Sequence, residues 1–419
     1  MRNFAGSKRL ATIIDQGTSS LSNLVLAAAV AHSVTQKQFG FFALLTSLFV
    51  IGLGATRALT SEPLLIHSTA DGDGSAAKGH SSLTVALIIG VLLAIPTSVV
   101  AVFIGSGALG VLAFFFPIIL LQDAMRYLAF ARNMPGRALA LDGAWLVLEL
   151  FLAAALLINH QTSLLNWVAV WGITAALPAL GLTCFWGWFP IVRPTEIRQW
   201  LRVSKGSSLP MFYDFLLSAS SSQALIFALP LVCGLAAVGA LKVAQVACGP
   251  LAVLGVAITV STLPLVARSV AAGQVKRAVK QSVQASGLLV AVNLGYAMAL
   301  LVLPQSWGVA VLGESWQEGG RVAPLIAMQS AAIGASQGAL IFLRAGGQAK
   351  RSLLARAFMT PLIILVPLTG SFLDGAFGFA VGLAVIWGVM TIPWWWLALC
   401  HSRQLHAVET KLSETVATR

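Results

Sequence analysis

Residues 82–104 read SLTVALIIGVLLAIPTSVVAVFI, 23 positions without a charged side chain. An α-helix rises about 1.5 Å per residue, so about 20 such residues cross the roughly 30 Å of hydrocarbon in a bilayer. No water in the bilayer core satisfies a free backbone N–H or C=O, so a span of this kind is a helix and not an open strand. Eleven further runs have the same character: 10–30, 39–60, 108–131, 139–158, 164–188, 209–232, 239–262, 283–303, 322–343, 357–372 and 376–399. The chain of 419 residues is 58% hydrophobic and 10% charged, with a mean hydropathy of +0.87. Soluble domains carry roughly 25% charged residues and expose only small apolar patches. A water-soluble enzyme is therefore excluded, and the pattern predicts an all-α polytopic membrane protein of about twelve transmembrane helices.

The 26 Lys and Arg outnumber the 14 Asp and Glu, for a net charge of +12. Their placement explains the excess. With twelve spans and the N-terminus inside, 23 of the 26 fall in cytoplasmic segments, and only Lys37, Lys242 and Arg321 lie toward the other side. That asymmetry is the positive-inside pattern, with both termini cytoplasmic (N-in/C-in), in a multi-pass protein of the cytoplasmic membrane. The basic residues meet anionic lipid headgroups, and no nucleic-acid partner is expected. Arg2, Lys8 and Arg9 ahead of 10–30, with Ala29-Val30-Ala31 near its end, imitate a secretory signal. The run is too long for a signal core and is interrupted by Asp15 and Gln16, so it is kept as the first span.

Motifs for catalysis or cofactors read as decoys. Gly334-Ala335-Ser336-Gln337-Gly338 matches a nucleophile elbow, but that motif needs a strand-to-helix turn and these residues lie within a span. Like Gly378 to Gly382, they form a G-x-x-x-G face suited to close helix packing. Asp71-Gly72-Asp73-Gly74-Ser75 starts like a calcium loop, yet Ser82 stands where a bidentate Glu is required. No phosphate-binding G-x-x-x-x-G-K-[ST] occurs, and neither the six His nor the four Cys show metal-ligand spacing. Cys184, Cys233, Cys248 and Cys400 read as buried structural thiols. No cofactor and no catalytic residue are expected. Trp167, Trp171, Trp186, Trp188 and Trp394 to Trp396 read as interfacial aromatic belts, with sugar stacking as the alternative.

Polar residues within the spans carry more information, because they are costly in hydrocarbon unless they face protein or water. Asp15, Gln16 and Asn23 lie in the first span, and the seven-residue step from Gln16 to Asn23 puts both on one helical face, expected to look inward. Arg57 and Glu62 end the second, Asp123 and Arg126 sit in the fourth, Asp142 and Glu149 in the fifth, and Lys242 and Gln245 in the eighth. Glu149 lies mid-span, where a charge cannot snorkel to the interface.

The chain also repeats. Asp15, the Ser19-Ser20-Leu21-Ser22-Asn23 stretch, Phe39-Gly40 and Glu62-Pro63-Leu64 recur as Asp214, Ser220-Ser221-Ser222-Gln223, Val238-Gly239 and Leu263-Pro264-Leu265, at an offset of 199 to 201 residues. The organisation expected is an N-terminal six-helix lobe at 1–190, a basic cytoplasmic linker at 191–208, a C-terminal six-helix lobe at 209–400 and a cytoplasmic tail at 401–419. Six is even, so the lobes share an orientation, and two parallel repeats around a central site form a transporter architecture. Pro230, Pro250 and Pro264 kink or end helices that would bend during rocking.

The D-Q-x-x-S-S-x-x-N pattern from Asp15 to Asn23, F-G-x-F-A-L from Phe39 to Leu44, R-A-L-T-S-E-P-L from Arg57 to Leu64 and the recurrence from Asp214 resemble the polysaccharide-transporter (Wzx-type) branch of the multidrug/oligosaccharidyl-lipid/polysaccharide (MOP) exporter superfamily. The match is concentrated in residues 10–66 and 209–266. The resemblance implies a MATE-like fold of two six-helix lobes around a central cavity, alternating access, and flipping of a polyprenyl-pyrophosphate-linked oligosaccharide between leaflets. It implies glycan polymerases or glycosyltransferases as partners. A multidrug or cation antiporter of the MATE type is the first alternative. A membrane glycan polymerase or glycosyltransferase is the second, disfavoured by the absence of a sizeable external loop.

A lipid-linked sugar has an anionic pyrophosphate, a polar glycan and an apolar tail. Arg57, Arg126 and Arg132 are the candidates to capture the pyrophosphate, since guanidinium forks suit phosphate oxygens. Gln16, Asn23, Gln223, Gln245, Asn293 and Gln337 are the candidates to meet sugar hydroxyls. With no nucleotide site, transport against a gradient draws on an ion gradient or the membrane potential, worth about 2.3 kcal/mol per charge per 100 mV. Asp15, Asp123 and Glu149 are the candidates to bind the coupling ion, Glu149 first among them, with pairing to a cation from a neighbouring helix as its alternative.

Overall fold

The computed structural model describes residues 2–70, 75–190 and 193–417. The Asp71 to Gly74 part of the calcium-loop imitation lies outside them. The helices are α1 (Arg2–Ser33), α2 (Gln36–Thr56), α3 (Glu62–Ala70), α4 (Ser75–Phe103), α5 (Gly107–Ala131), α6 (Pro135–Ile158), α7 (Leu164–Trp186), α8 (Pro194–Ala247), α9 (Gly249–Ala271), α10 (Val275–Val302), α11 (Gln305–Leu312), α12 (Trp316–Ala345) and α13 (Ala349–Ala417). Among the described residues there is no strand.

Among the described residues, ten helical stretches are long and apolar enough to cross a membrane. One of them, Leu354–His406, is 53 residues long and leaves helical geometry at Asp374 and Gly375, so it carries both of the last two apolar runs. The first run lies in α1, outside the ten, because Asp15, Gln16 and the polar positions up to Asn23 dilute its hydropathy. All twelve runs are thus helical, and the fold is all-α as the sequence predicts.

By internal contacts the chain groups into two compact units, Met1–Phe227 and Ala228–Arg419. The basic stretch expected as a linker is helical from Pro194 onward, a proline start that suits the first helical turn. It belongs to α8, whose one non-helical residue is Gly234, at φ 77° and ψ 173°.

In the first unit α1 packs on α6, α4 on α5, and α5 on α7. Leu83, Met125, Leu128, Leu141, Trp188 and Trp200 form one apolar cluster. Trp167 and Trp171 are fully buried, and Trp171 meets Phe42 and Phe49 edge-on, at 6.2 and 5.0 Å between ring centroids. These two, with Trp188 at 2% and Trp394 at 3% exposure, are core residues, which corrects the aromatic-belt reading for all four.

In the second unit α10 and α13 both pack on α12. A Cβ at Gly338 would overlap the carbonyl oxygen of Ser282, and one at Gly334 would come within 2.8 Å of Leu289 Cβ. Gly338 N–H donates to the Ser286 hydroxyl at 2.9 Å. The stretch from Gly334 to Gly338 is therefore a helix-packing face. The cysteine expectation needs a correction: among the four free thiols Cys248 is buried, but Cys184 is exposed on α7.

Candidate functional site

Between α2 and α3 the helix widens into a π-helical turn at Arg57–Ser61. Pro63 supplies a cause. Its ring has no N–H and would crowd the carbonyl of Leu59, four residues earlier, and one extra residue in the turn relieves that crowding. The Glu62 N–H reaches back to the Arg57 carbonyl, a five-residue step. The Leu59 carbonyl, deprived of its usual donor, accepts from the Ser208 hydroxyl at 3.2 Å.

The turn presents Arg57 to Asp123 of α5. Arg57 Nε and Nη2 donate to the two carboxylate oxygens at 2.9 and 2.6 Å, and the guanidinium lies 5.4 Å from the centroid of the Tyr127 ring. Asp123 and Tyr127 are four residues apart, hence neighbours on one helical face. One step further along α5, Arg126 donates from Nε and Nη2 to Asp15 Oδ2 of α1, at 2.8 and 2.6 Å. Its Nε also lies 3.1 Å from Asp142 Oδ2 of α6, and Nη2 donates to Gln16 Oε1 at 3.2 Å. Gln122, one turn before Arg126, donates to Asp142 Oδ1 at 3.0 Å.

Seven residues beyond Asp15 and Asp142, at the same helical azimuth, Ser22 donates to Glu149 Oε2 at 2.9 Å. Equal steps along both helices mean that α1 and α6 run in the same direction, so Glu149 lies about 10 Å along the axis from Asp142. Four carboxyl groups and two guanidiniums thus occupy one unit. Asp15, Asp123, Asp142, Glu149 and Arg126 are all buried. Breaking such a pair by removing one partner leaves an uncompensated charge in a low-dielectric interior.

Of the residues expected to capture pyrophosphate, Arg57 and Arg126 both belong to this network, each held by aspartates. Arg132 stands apart. It lies 5.3 Å from the Trp188 ring centroid, and Arg137 lies 4.9 Å from the same centroid and 5.1 Å from that of Trp186. Burial, then the like charge of Arg137, pushes the Arg132 guanidinium below its ordinary value. Of the coupling candidates, Asp15 and Asp123 are ion-paired, whereas Glu149 has a hydroxyl partner and no ion-paired cation among the described residues.

The hydroxyl-binding candidates separate. The buried face of α1 carries Asp15 and Ser22, while Gln16 and Asn23 stand on its exposed flank. The inward face of this helix within its own unit is therefore one residue off the one expected, because Asp15 must reach Arg126. Asn293 and Gln337 come together in the second unit, on a cavity of about 330 Å³ between α9, α10 and α12. Gln245 and Gln223 do not line it. Asp142, Gln122 and Ser22 complete the charged network; the seven-residue match between Asp15/Ser22 and Asp142/Glu149 is the sequence signal that points to them.

No protein-family model and no curated protein match the sequence. Solved structures do match the fold. An inward-facing MATE-family multidrug resistance transporter of the MOP superfamily superposes with a TM-score of 0.71 over 93% of this chain and 96% of that one, at 13% identity. The lipid II flippase MurJ in an inward closed conformation gives 0.68 over 94% and 90%, at 10% identity. The chain has the fold that these two structures share. A MOP superfamily transporter from Pyrococcus furiosus gives 0.60 over 95% of each chain, at 14% identity. The likeness in fold extends over 93% to 95% of this chain.

Proposed function

We propose that this chain is a membrane transporter that flips a polyprenyl-pyrophosphate-linked oligosaccharide across the cytoplasmic membrane by alternating access, with residues 1–190 and 209–400 as its two lobes. The solved neighbours of the fold include both MATE transporters and a lipid II flippase, which supports transport and leaves the cargo to be argued from the residues. The observation that favours an anionic, lipid-linked cargo over a cationic drug is the polarity of the Arg57–Asp123 pair. Its arginine side chain is 31% exposed and its aspartate 7%. The member of the pair that a ligand meets is the cation. A bidentate grip on one edge leaves Arg57 with unused N–H donors, which suit phosphate oxygens. A cation exporter needs the opposite arrangement.

For coupling, Glu149 is the candidate: buried, centred in its span and bonded through Ser22 with no ion-paired cation among the described residues. Glycan polymerases or glycosyltransferases using the same lipid donor fit as partners. The deciding experiment reconstitutes the full chain in vesicles with a fluorescent polyprenyl-pyrophosphate oligosaccharide, and in parallel with a cationic dye. Protein-dependent movement of the lipid-linked glycan alone is expected. Movement of the dye alone overturns the assignment in favour of a drug antiporter.

A further inference from the structure

The reversal from α5 to α6 holds a second basic feature, apart from the charged network. Arg132 caps the C-terminus of α5, and Arg137 lies in the first turn of α6. Between them Asn133 takes the left-handed conformation at φ 57°, which asparagine visits more readily than most residues. Met134 N–H donates to the Ala129 carbonyl at 2.8 Å, so the backbone fixes the turn. The turn brings both guanidiniums to one indole, at 5.3 Å and 4.9 Å from the Trp188 ring centroid. They are therefore no further apart than the sum of those distances. The Trp186 ring packs 4.9 Å from that of Trp188 and gives Arg137 a second aromatic neighbour.

This pair lacks a counter-charge. Among the described residues neither guanidinium has a carboxylate within 4 Å, and neither donates a hydrogen bond. Stacking occupies the flat face of a guanidinium and leaves its N–H edge free, with five donors on each arginine. Burial and then the like charge of Arg137 push the Arg132 guanidinium below its ordinary value, and an anion set against the two would relieve that repulsion. The pair stands level with the bilayer interface: α4 and α6 begin their membrane-crossing stretches at Gly79 and Pro135, and α5 and α7 end theirs at Ala131 and Trp186. A Cβ at Gly79 would stand 3.4 Å from Arg132 Nη2, so α4 closes one side. His80 Nδ1 donates to the Phe189 carbonyl at 2.7 Å and pins the segment that follows Trp188. Met134, Phe185 and Phe189, neighbours of these residues in the chain, are exposed.

We infer that Arg132 and Arg137, backed by Trp186 and Trp188, hold the headgroup of one resident anionic phospholipid, with its phosphodiester on the free guanidinium edges and its acyl chains along the exposed apolar rim. Guanidinium forks match phosphate oxygens, and basic pockets at the membrane surface take anionic headgroups. The apolar rim favours a phospholipid over a free phosphate ion, which has nothing to place there. Arg57 is already gripped by Asp123, whereas these two cations are uncommitted among the described residues. Arg132 is thereby assigned to a lipid that stays and not to cargo that passes. The inference needs the chain to lie in a membrane and does not depend on the cargo proposed above.

The test is native mass spectrometry of the full chain released from micelles that contain phosphatidylglycerol and phosphatidylcholine in equal amounts. One phosphatidylglycerol is expected to stay bound in preference to phosphatidylcholine. Arg132→Gln/Arg137→Gln should cut that retention about tenfold, the scale of a lost charge-assisted hydrogen bond. Lys276→Gln/Arg277→Gln removes the same charge from an exposed stretch of α10 and should leave retention unchanged. If the first variant fails to fold, Arg132→Lys/Arg137→Lys decides: it keeps both charges and loses the planar forks, for an expected loss of about threefold or more. Retention unchanged in whichever variant folds, an equal loss in Lys276→Gln/Arg277→Gln, or equal retention of the two lipids overturns the assignment. So does displacement of the lipid by inorganic phosphate, as from a site for free anions, or by farnesyl pyrophosphate at equal concentration, which would return Arg132 to cargo capture. A transport assay plays no part in this readout, so failed flipping with intact retention rejects the cargo and not the site.

Discussion

Ser22 on α1 donates to Glu149 on α6 at 2.9 Å, and this buried carboxylate, with the Trp145 indole one turn before it, is ion-paired with no cation among the described residues. A carboxyl in that position can gain or lose a proton, or hold a cation, without first breaking an ion pair. Glu149→Gln keeps the shape and the Ser22 contact but fixes the group as neutral. In reconstituted vesicles it is expected to abolish stimulation by an imposed gradient while slow equilibration of a lipid-linked substrate continues. A gradient response equal to the unmodified protein removes Glu149 from coupling.

Arg57 and Arg126 are both arginines gripped by aspartates, yet their substitutions should part company. Arg126 holds Asp15 and Asp142 together, and Arg126→Gln leaves two buried carboxylates uncompensated, for a destabilisation of about 3–5 kcal/mol. Low protein yield and an early thermal transition are the expected readout. Arg57 is partly exposed but grips the buried Asp123, so the double variant Arg57→Gln/Asp123→Asn, which leaves no buried charge behind, should preserve yield while slowing flipping by about tenfold or more, the scale of a lost charge-assisted hydrogen bond. Arg57→Lys should restore only part of the rate, because the ammonium lacks the fork. Equal yields for Arg126→Gln and the unmodified protein would contradict the structural role given to Arg126.

The Ser208 hydroxyl caps the Leu59 carbonyl that Pro63 leaves without its usual donor. Ser208→Ala is expected to lower stability by about 1–3 kcal/mol through the uncapped carbonyl. Amide exchange across 57–64, followed by mass spectrometry in detergent, should quicken. Pro63→Ala restores an N–H at position 63 and should slow the same exchange. Unchanged exchange in both variants would show that the contact is idle.

Membrane topology is tested with single cysteines after replacing the exposed native Cys184. Cysteines at Arg137, at Lys205 beside the buried Ser204, at Gln274 and at Gly347 should react with an impermeant reagent only from the cytoplasmic side. Those at Gln36, Gly107, Gln161 and Gln317 should react only from outside. Labelling of Gly347 from outside would break the twelve-span map.

The twelve helical runs were legible because bilayer thickness imposes a length and composition that few soluble sequences imitate. Glu149 and the charged residues of the fourth and fifth spans were legible for the same reason, since polar atoms in hydrocarbon stand out. Their partners were not. Nothing in the spacing of Arg126 says that it meets Asp15, 111 residues away, because the choice among candidate carboxylates is made by packing between helices. Trp167 and Trp171 escaped for a related reason: an indole fits an interface or a core equally well by composition, and neighbours such as Phe42 decide. The halves have also diverged where the repeat alone predicts likeness. At the offset of 199 to 201 residues, Arg57 of the first half meets Val256, Ala257 and Ile258 in the second, which removes the guanidinium there.

The π-helical turn at Arg57–Ser61 stores one residue more than a regular turn can hold. In an α-helix each residue advances the rod by about 1.5 Å and rotates it by about 100°. Letting that surplus residue relax into regular helix would twist the whole of α2 by about 100° against α3 and swing Arg57 off Asp123. The grip on that aspartate is therefore keyed to the rotational phase of the second helix, and anything that resets the phase resets the charge a ligand would meet.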